Sequence, residues 1–104
     1  MDGQKFDNDK LPYYTVLFKQ FPLAFKEVVK CSLAGHNKYP LDTDWMNFKR
    51  VSDAENRYLN ASLRHMSERG INEDMKEYGE VLHEAQVIWN LCAALQIKLE
   101  NIKT

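Results

Sequence analysis

His83, Gln86 and Asn90 stand three and four residues apart, a spacing that puts them on one side of a helix. Their side chains can both donate and accept hydrogen bonds, so the set reads as a polar ladder, on a different side from the apolar residues around it. Glu77, Glu80 and Glu84 form a second set. Glu84 falls at the edge of the apolar stripe, where a carboxylate calls for a cation. One segment earlier, Arg57, Asn60 and Arg64 share a side, with His65 beside them. The run AGHNKYPLDTDWMNF, Ala34 to Phe48, gathers Lys38, Tyr39, Trp45 and Asn47 around Pro40. Helix periodicity does not account for these polar residues, which makes the run a candidate binding surface.

Several familiar chemistries fall away at this stage. His83-Glu84 begins like a zinc-protease H-E-x-x-H, but Val87 occupies the second ligand position. The chain has no C-x-x-C and no glycine-rich phosphate loop. Cys31 has no recognisable triad partner.

The elements that must hold these residues read as helices. Pro22 suits a first helical position, and Leu23, Phe25, Val28, Val29, Ser32 and Leu33 recur at helical spacing, to about Gly35 or Lys38. Ser52 and Glu55 form an S-x-x-E capping box, predicting a helix from Asp53 to Arg69 with Gly70 as its stop. Asp74 and Glu77 repeat the cap-like spacing and predict a long last helix from there to about Lys98. Its core stripe would be Val81, Ala85, Ile88, Cys92 and Leu95. Leu59, Leu63 and Met66 would form the apolar edge of the helix before it. The short segment Pro12 to Phe18 fits either a helical turn or an extended lead-in. No stretch alternates with a period of two, so the expected fold class is all-α, a small helical bundle with a long C-terminal helix. If the last two helices form an antiparallel hairpin, Arg64 and His65 face His83 and Asn90.

Composition narrows the partners. The chain has 104 residues, 44% of them hydrophobic, and reads as a single domain, residues 1–104. Lys plus Arg number 14 against 15 Asp plus Glu, so no broad positive field exists for a nucleic-acid polymer or an anionic membrane. Cys31 and Cys92, set in apolar helical patterns, predict buried thiols in a reducing compartment. The charged start lacks an apolar leader segment, and the expected location is cytoplasmic, the host cytoplasm if the protein is viral.

A series of matching residues then carries a resemblance across nearly the whole chain. It runs through Lys5-Phe6-Asp7 with Lys10, Gly35-x-x-Lys38-Tyr39, Trp45 with Asn47, Arg64-His65, Asp74, and His83-x-x-Gln86-Val87-x-Trp89-Asn90. In order and spacing this resembles the dATP/dGTP diphosphohydrolase N-terminal domain family, found mostly in bacteriophages and akin to the all-α pyrophosphohydrolases related to MazG. The resemblance implies cleavage of a deoxypurine triphosphate to monophosphate and pyrophosphate. Such a reaction needs a divalent metal, Mg2+ or Mn2+, to neutralise the phosphates and activate water.

Under that resemblance, Glu27, Asp74, Glu80 and Glu84 are the candidate metal ligands. His65, His83 and Glu80 are the candidate catalytic groups. Lys38 and Arg64 would contact phosphate, Tyr39 and Trp45 would stack on the purine, and Asn47 or Asn90 would read its edge. Gln86 stands where the family often has a second histidine, and the early helix carries Glu27 alone of the paired glutamates that the MazG-related enzymes use. The alternatives are therefore a nucleotide-binding phage protein that sequesters a deoxypurine triphosphate or signalling nucleotide without turnover, and a helical module for a protein partner. The apolar circumference of the last helix also predicts a homo-oligomer, a dimer by default.

Overall fold

The computed structural model describes residues 3, 4, 6, 8–37, 45–69, 72–75 and 79–103. Within them the chain is mostly helical. A single π-helical turn, Tyr14–Phe18, resolves the ambiguous segment near the start. Helix α1 spans Pro22–Asn37, with proline at its first position as its missing N–H favours. A short 3-10 turn, Asn47–Arg50, precedes helix α2, Ala54–Ser67. Strands β1, Asn72–Met75, and β2, Gly79–Leu82, pair antiparallel, and helix α3, His83–Lys103, follows without a break. Helices α2 and α3 form the main packed pair, and α1 lies against α3 and β2.

The fold is mostly helical, as expected; the hairpin is an addition to it that shortens the last helix, which begins at His83 and not near Asp74. Asn72, Glu73 and Asp74 belong to types depleted in strands, so no β signal was visible. Gly79 was the available warning, because glycine inside a helix costs about 1 kcal/mol relative to alanine. Helix α2 also starts differently from its predicted capping box. Asp53 takes the N-cap position with left-handed backbone angles, φ 51° and ψ 40°, and makes no side-chain cap bond to the helix backbone. Its Oδ1 instead accepts from Asn56 Nδ2 at 3.1 Å. The helix ends at Ser67, two residues before the expected Arg69, and Gly70 lies outside the described residues.

Packing between the helices rests on aromatic edges and small residues. Trp89 of α3 meets Tyr58 of α2 edge-on, with ring centroids 5.6 Å apart, and meets Phe48 at 5.8 Å. The Tyr58 hydroxyl donates to the Phe48 carbonyl at 2.9 Å, pinning the 3-10 turn to α2. Lys49 Nζ reaches Glu100 Oε1 at 2.8 Å and pins the same turn to α3. Among the described residues the buried apolar side chains are alanines and valines, including Ala85, Val87, Ala93 and Ala94.

The orientation of α3 reverses the sequence reading. Gln86 and Asn90, expected on a side away from the core, are buried, whereas Ile88, Cys92 and Leu95 of the expected core stripe are exposed. Of that stripe only Val81 and Ala85 lie inside. Leu59, Leu63 and Met66 of α2 are likewise exposed, and Ser62 and His65 are buried in their place. His65 and His83 bond to each other, and Ser62, Gln86 and Asn90 bond to nearby backbone carbonyls, so the buried polar groups are satisfied. The longer aliphatic residues are left outside.

Candidate functional site

The interhelical polar contact is centred on two histidines. His65 lies in the last turn of α2 and His83 is the first residue of α3, so the antiparallel packing of the two helices and the intervening hairpin bring them together. Their Nδ1 atoms are 2.9 Å apart, with 8% and 2% of the two residues exposed. At that distance one nitrogen carries the shared proton and the other accepts it. Glu68, the C-cap residue of α2, is held in its turn by its N–H donating to the His65 carbonyl at 3.1 Å. Its Oε2 lies 3.6 Å from His83 Nε2, an ion-pair separation longer than a good hydrogen bond. The three side chains thus form a line, carboxylate to imidazole to imidazole, running from the surface into the helix interface. Glu68 was not among the sequence candidates, although its i, i+3 spacing from His65 was a usable signal.

The remaining ladder is committed to backbone. Asn90 Nδ2 donates to the Gln86 carbonyl at 2.7 Å, and Gln86 Nε2 donates to the Val81 carbonyl at 3.4 Å. Asn90 is buried, and its amide nitrogen serves helix α3. Arg64 is exposed, one residue and about 100° round α2 from His65, so the expected meeting of Arg64, His65, His83 and Asn90 is realised as a His65–His83 contact alone.

The other candidates lie apart from this pair or in different surroundings. Glu27 on α1 is half-buried and pairs with Lys30 at 3.1 Å. Glu84 is exposed in the first turn of α3. Asp74 and Glu80 occupy one register position of the hairpin, directly across from each other. Trp45 is half exposed, with one face covered by the His36 imidazole at a centroid distance of 4.0 Å and an interplanar angle of 12°. Asn47 opens the 3-10 turn. Lys38, Tyr39 and Glu77 lie outside the described residues.

His65, Glu68 and His83 can each bring one ligand atom within 4.8 Å of the others. Two imidazole nitrogens and one carboxylate oxygen suit a borderline cation such as Mn2+. They do not suit Mg2+, which prefers oxygen ligands and retains its own waters.

Comparison with known proteins gives one match. The family model described as dATP/dGTP diphosphohydrolase, N-terminal, matches residues 1–104. Searches of curated proteins and of solved structures return no match.

Proposed function

For a chain that belongs to the dATP/dGTP diphosphohydrolase N-terminal family, we propose metal-dependent hydrolysis of a deoxypurine nucleoside triphosphate to monophosphate and pyrophosphate, in a bacteriophage. The observation that carries this reading is the family match along the full sequence. The His65–His83–Glu68 line supports it, as a buried proton-handling group opening to the surface through Glu68.

In the neutral pair, His83 directs its Nε2–H toward Glu68 and accepts the His65 Nδ1–H at its own Nδ1. The lone pair of His65 is then on Nε2, where it serves as a general base or a ligand. Glu68 and His83 act as positioning residues that fix this tautomer. A divalent cation would lower the charge on the phosphates and the pKa of a bound water. To hold Mn2+, the histidine-containing trio would exchange these hydrogen bonds for ligation, and the carboxylates Glu27, Asp74, Glu80 and Glu84 are the proposed oxygen ligands for Mg2+. Trp45 offers the face not covered by His36 to a purine, Asn47 its edge contact, and Lys38, Tyr39 and Arg64 remain phosphate and base contacts in this proposal.

A second reading, nucleotide binding without turnover, draws on specific observations. Glu27 is paired with Lys30, and the Asn90 amide is spent on its own helix. Incubation of the purified chain with each deoxynucleoside triphosphate and Mn2+ or Mg2+, followed by anion-exchange separation, distinguishes them. Release of dAMP or dGMP with pyrophosphate, reduced about 10²- to 10⁴-fold in His65→Ala, supports hydrolysis. Tight binding of a nucleotide recovered intact selects the binder, and no binding of any triphosphate overturns both.

A further inference from the structure

His36 and Trp45 lie face to face, with ring centroids 4.0 Å apart and planes inclined by 12°. The rings that close the α2–α3 interface, Phe48, Tyr58 and Trp89, meet edge-on instead, at 66° to 78°. Edge-on contact fills a core, whereas face-to-face contact is how a flat base lies on an aromatic side chain. Nor is Trp45 a core residue, since 52% of it is exposed although His36 covers one face. A tryptophan held in place for packing alone would turn its large apolar area inward.

The indole is placed from two directions. Its backbone leads into the 3-10 turn, which Tyr58 pins to α2 through the Phe48 carbonyl at 2.9 Å and Lys49 pins to α3 through Glu100 at 2.8 Å. The Lys49 N–H closes that turn on the Met46 carbonyl at 3.0 Å, one residue after Trp45. His36 reaches the ring from a third helix, in the last turn of α1, and is itself half-buried.

Within the nucleotide reading, on which this rests, we propose that His36 is a positioning residue for the purine. Its ring backs Trp45, and the base lies on the opposite indole face, third in a stack of imidazole, indole and purine. Holding the indole in place before the nucleotide arrives removes ordering that binding would otherwise have to supply. Stacking engages the face of a base and not its edge, so adenine and guanine gain alike from it. A one-ring pyrimidine covers less of the indole and gains less. His36 thereby favours purines as a class and touches neither the phosphates nor the attacking water, so its loss raises KM and leaves kcat alone.

Steady-state hydrolysis of dATP and dGTP by the full chain, with tryptophan emission followed in parallel, tests this. A stacked purine is expected to quench Trp45 emission in the wild type. Trp45→Ala is expected to lose that response and to raise KM about 5- to 150-fold. His36→Ala is expected to raise KM for dATP and dGTP by the same factor, about two- to twelve-fold, with kcat unchanged within about two-fold. His36→Phe, which keeps a flat ring, is expected to restore the wild-type KM, and His36→Leu, which keeps only the bulk, is not. For a nucleotide bound but recovered intact, the dissociation constant from the emission titration is compared in place of KM. If the wild type binds or cleaves purine triphosphates and His36→Ala or Trp45→Ala matches it, the stack is overturned and the nucleotide reading stands. The same holds if His36→Leu restores KM as well as His36→Phe does. A wild type that neither binds nor cleaves any triphosphate overturns both. If His36→Ala loses its far-ultraviolet helical signal, His36→Phe against His36→Leu decides the outcome.

Discussion

His65 and His83 illustrate how a residue's chemistry depends on what its neighbours leave for it to do. Each is buried, and each satisfies the other at 2.9 Å, so truncating one leaves a buried imidazole nitrogen without that partner. His83→Ala is expected to destabilise the chain by about 1–3 kcal/mol in urea unfolding. It is also expected to abolish any stabilisation by Mn2+, measured as the shift of the thermal midpoint on adding the metal. Glu68→Gln keeps the size and polarity of the exposed end of the line. It should leave the urea midpoint nearly unchanged while weakening the Mn2+ effect, which separates a positioning role from a packing role. Asp53 poses a different question at the same scale. Its left-handed backbone costs an ordinary L-residue about 1–2 kcal/mol, and aspartate eases this through local hydrogen bonding, here with Asn56. Asp53→Val should therefore lose about that amount in urea unfolding, and Asp53→Asn little.

Between elements, the 3-10 turn at Asn47–Arg50 acts as a clasp across α2 and α3. Its aromatic half, Phe48 against Tyr58 and Trp89, is apolar, and Trp89→Ala is expected to cost about 3–5 kcal/mol in chemical denaturation. Its ionic half depends on pH. The hydrogen bond from Lys49 holds the Glu100 carboxyl below its ordinary pKa, so the folded state binds that proton less readily than the unfolded chain does. The stability this pair contributes is present above the ordinary glutamate pKa and is lost as pH falls through the lowered folded value. Comparing wild type with Glu100→Gln from neutral pH into that acid range should show the difference between them shrinking. Because the carboxylate is exposed, added salt should reduce it too.

For the whole molecule, the governing feature is a small core under a large surface. Among the described residues, alanine and valine supply the buried apolar side chains, and long aliphatic side chains on α3 remain outside. If a second copy covers them, folding and association are linked, and the thermal midpoint must rise with protein concentration. Calorimetry at two concentrations a decade apart checks this, and an unmoved midpoint would mean that the single chain carries its full stability. No helix among the described residues is long and apolar enough to cross a membrane.

Local sequence determined the helices wherever a terminus signal agreed with the period. Pro22 and the apolar repeat after it placed α1, and the repeats from Ala54 and His83 placed the bodies of α2 and α3. Family membership was also legible, because it rests on the order and spacing of residues along the chain. Tertiary structure alone decided which side of α3 turns inward. Both sides have helical period, and the side turned inward carries alanines and polar residues whose hydrogen bonds are met by backbone carbonyls or, for His65 and His83, by each other, with the bulkier leucines outside. It also decided the hairpin, whose acidic strand carries no β preference of its own, and with it the point at which α3 begins. That starting point is what sets His83 against His65, a contact between residues 18 apart in sequence that helical periodicity within either segment could not specify.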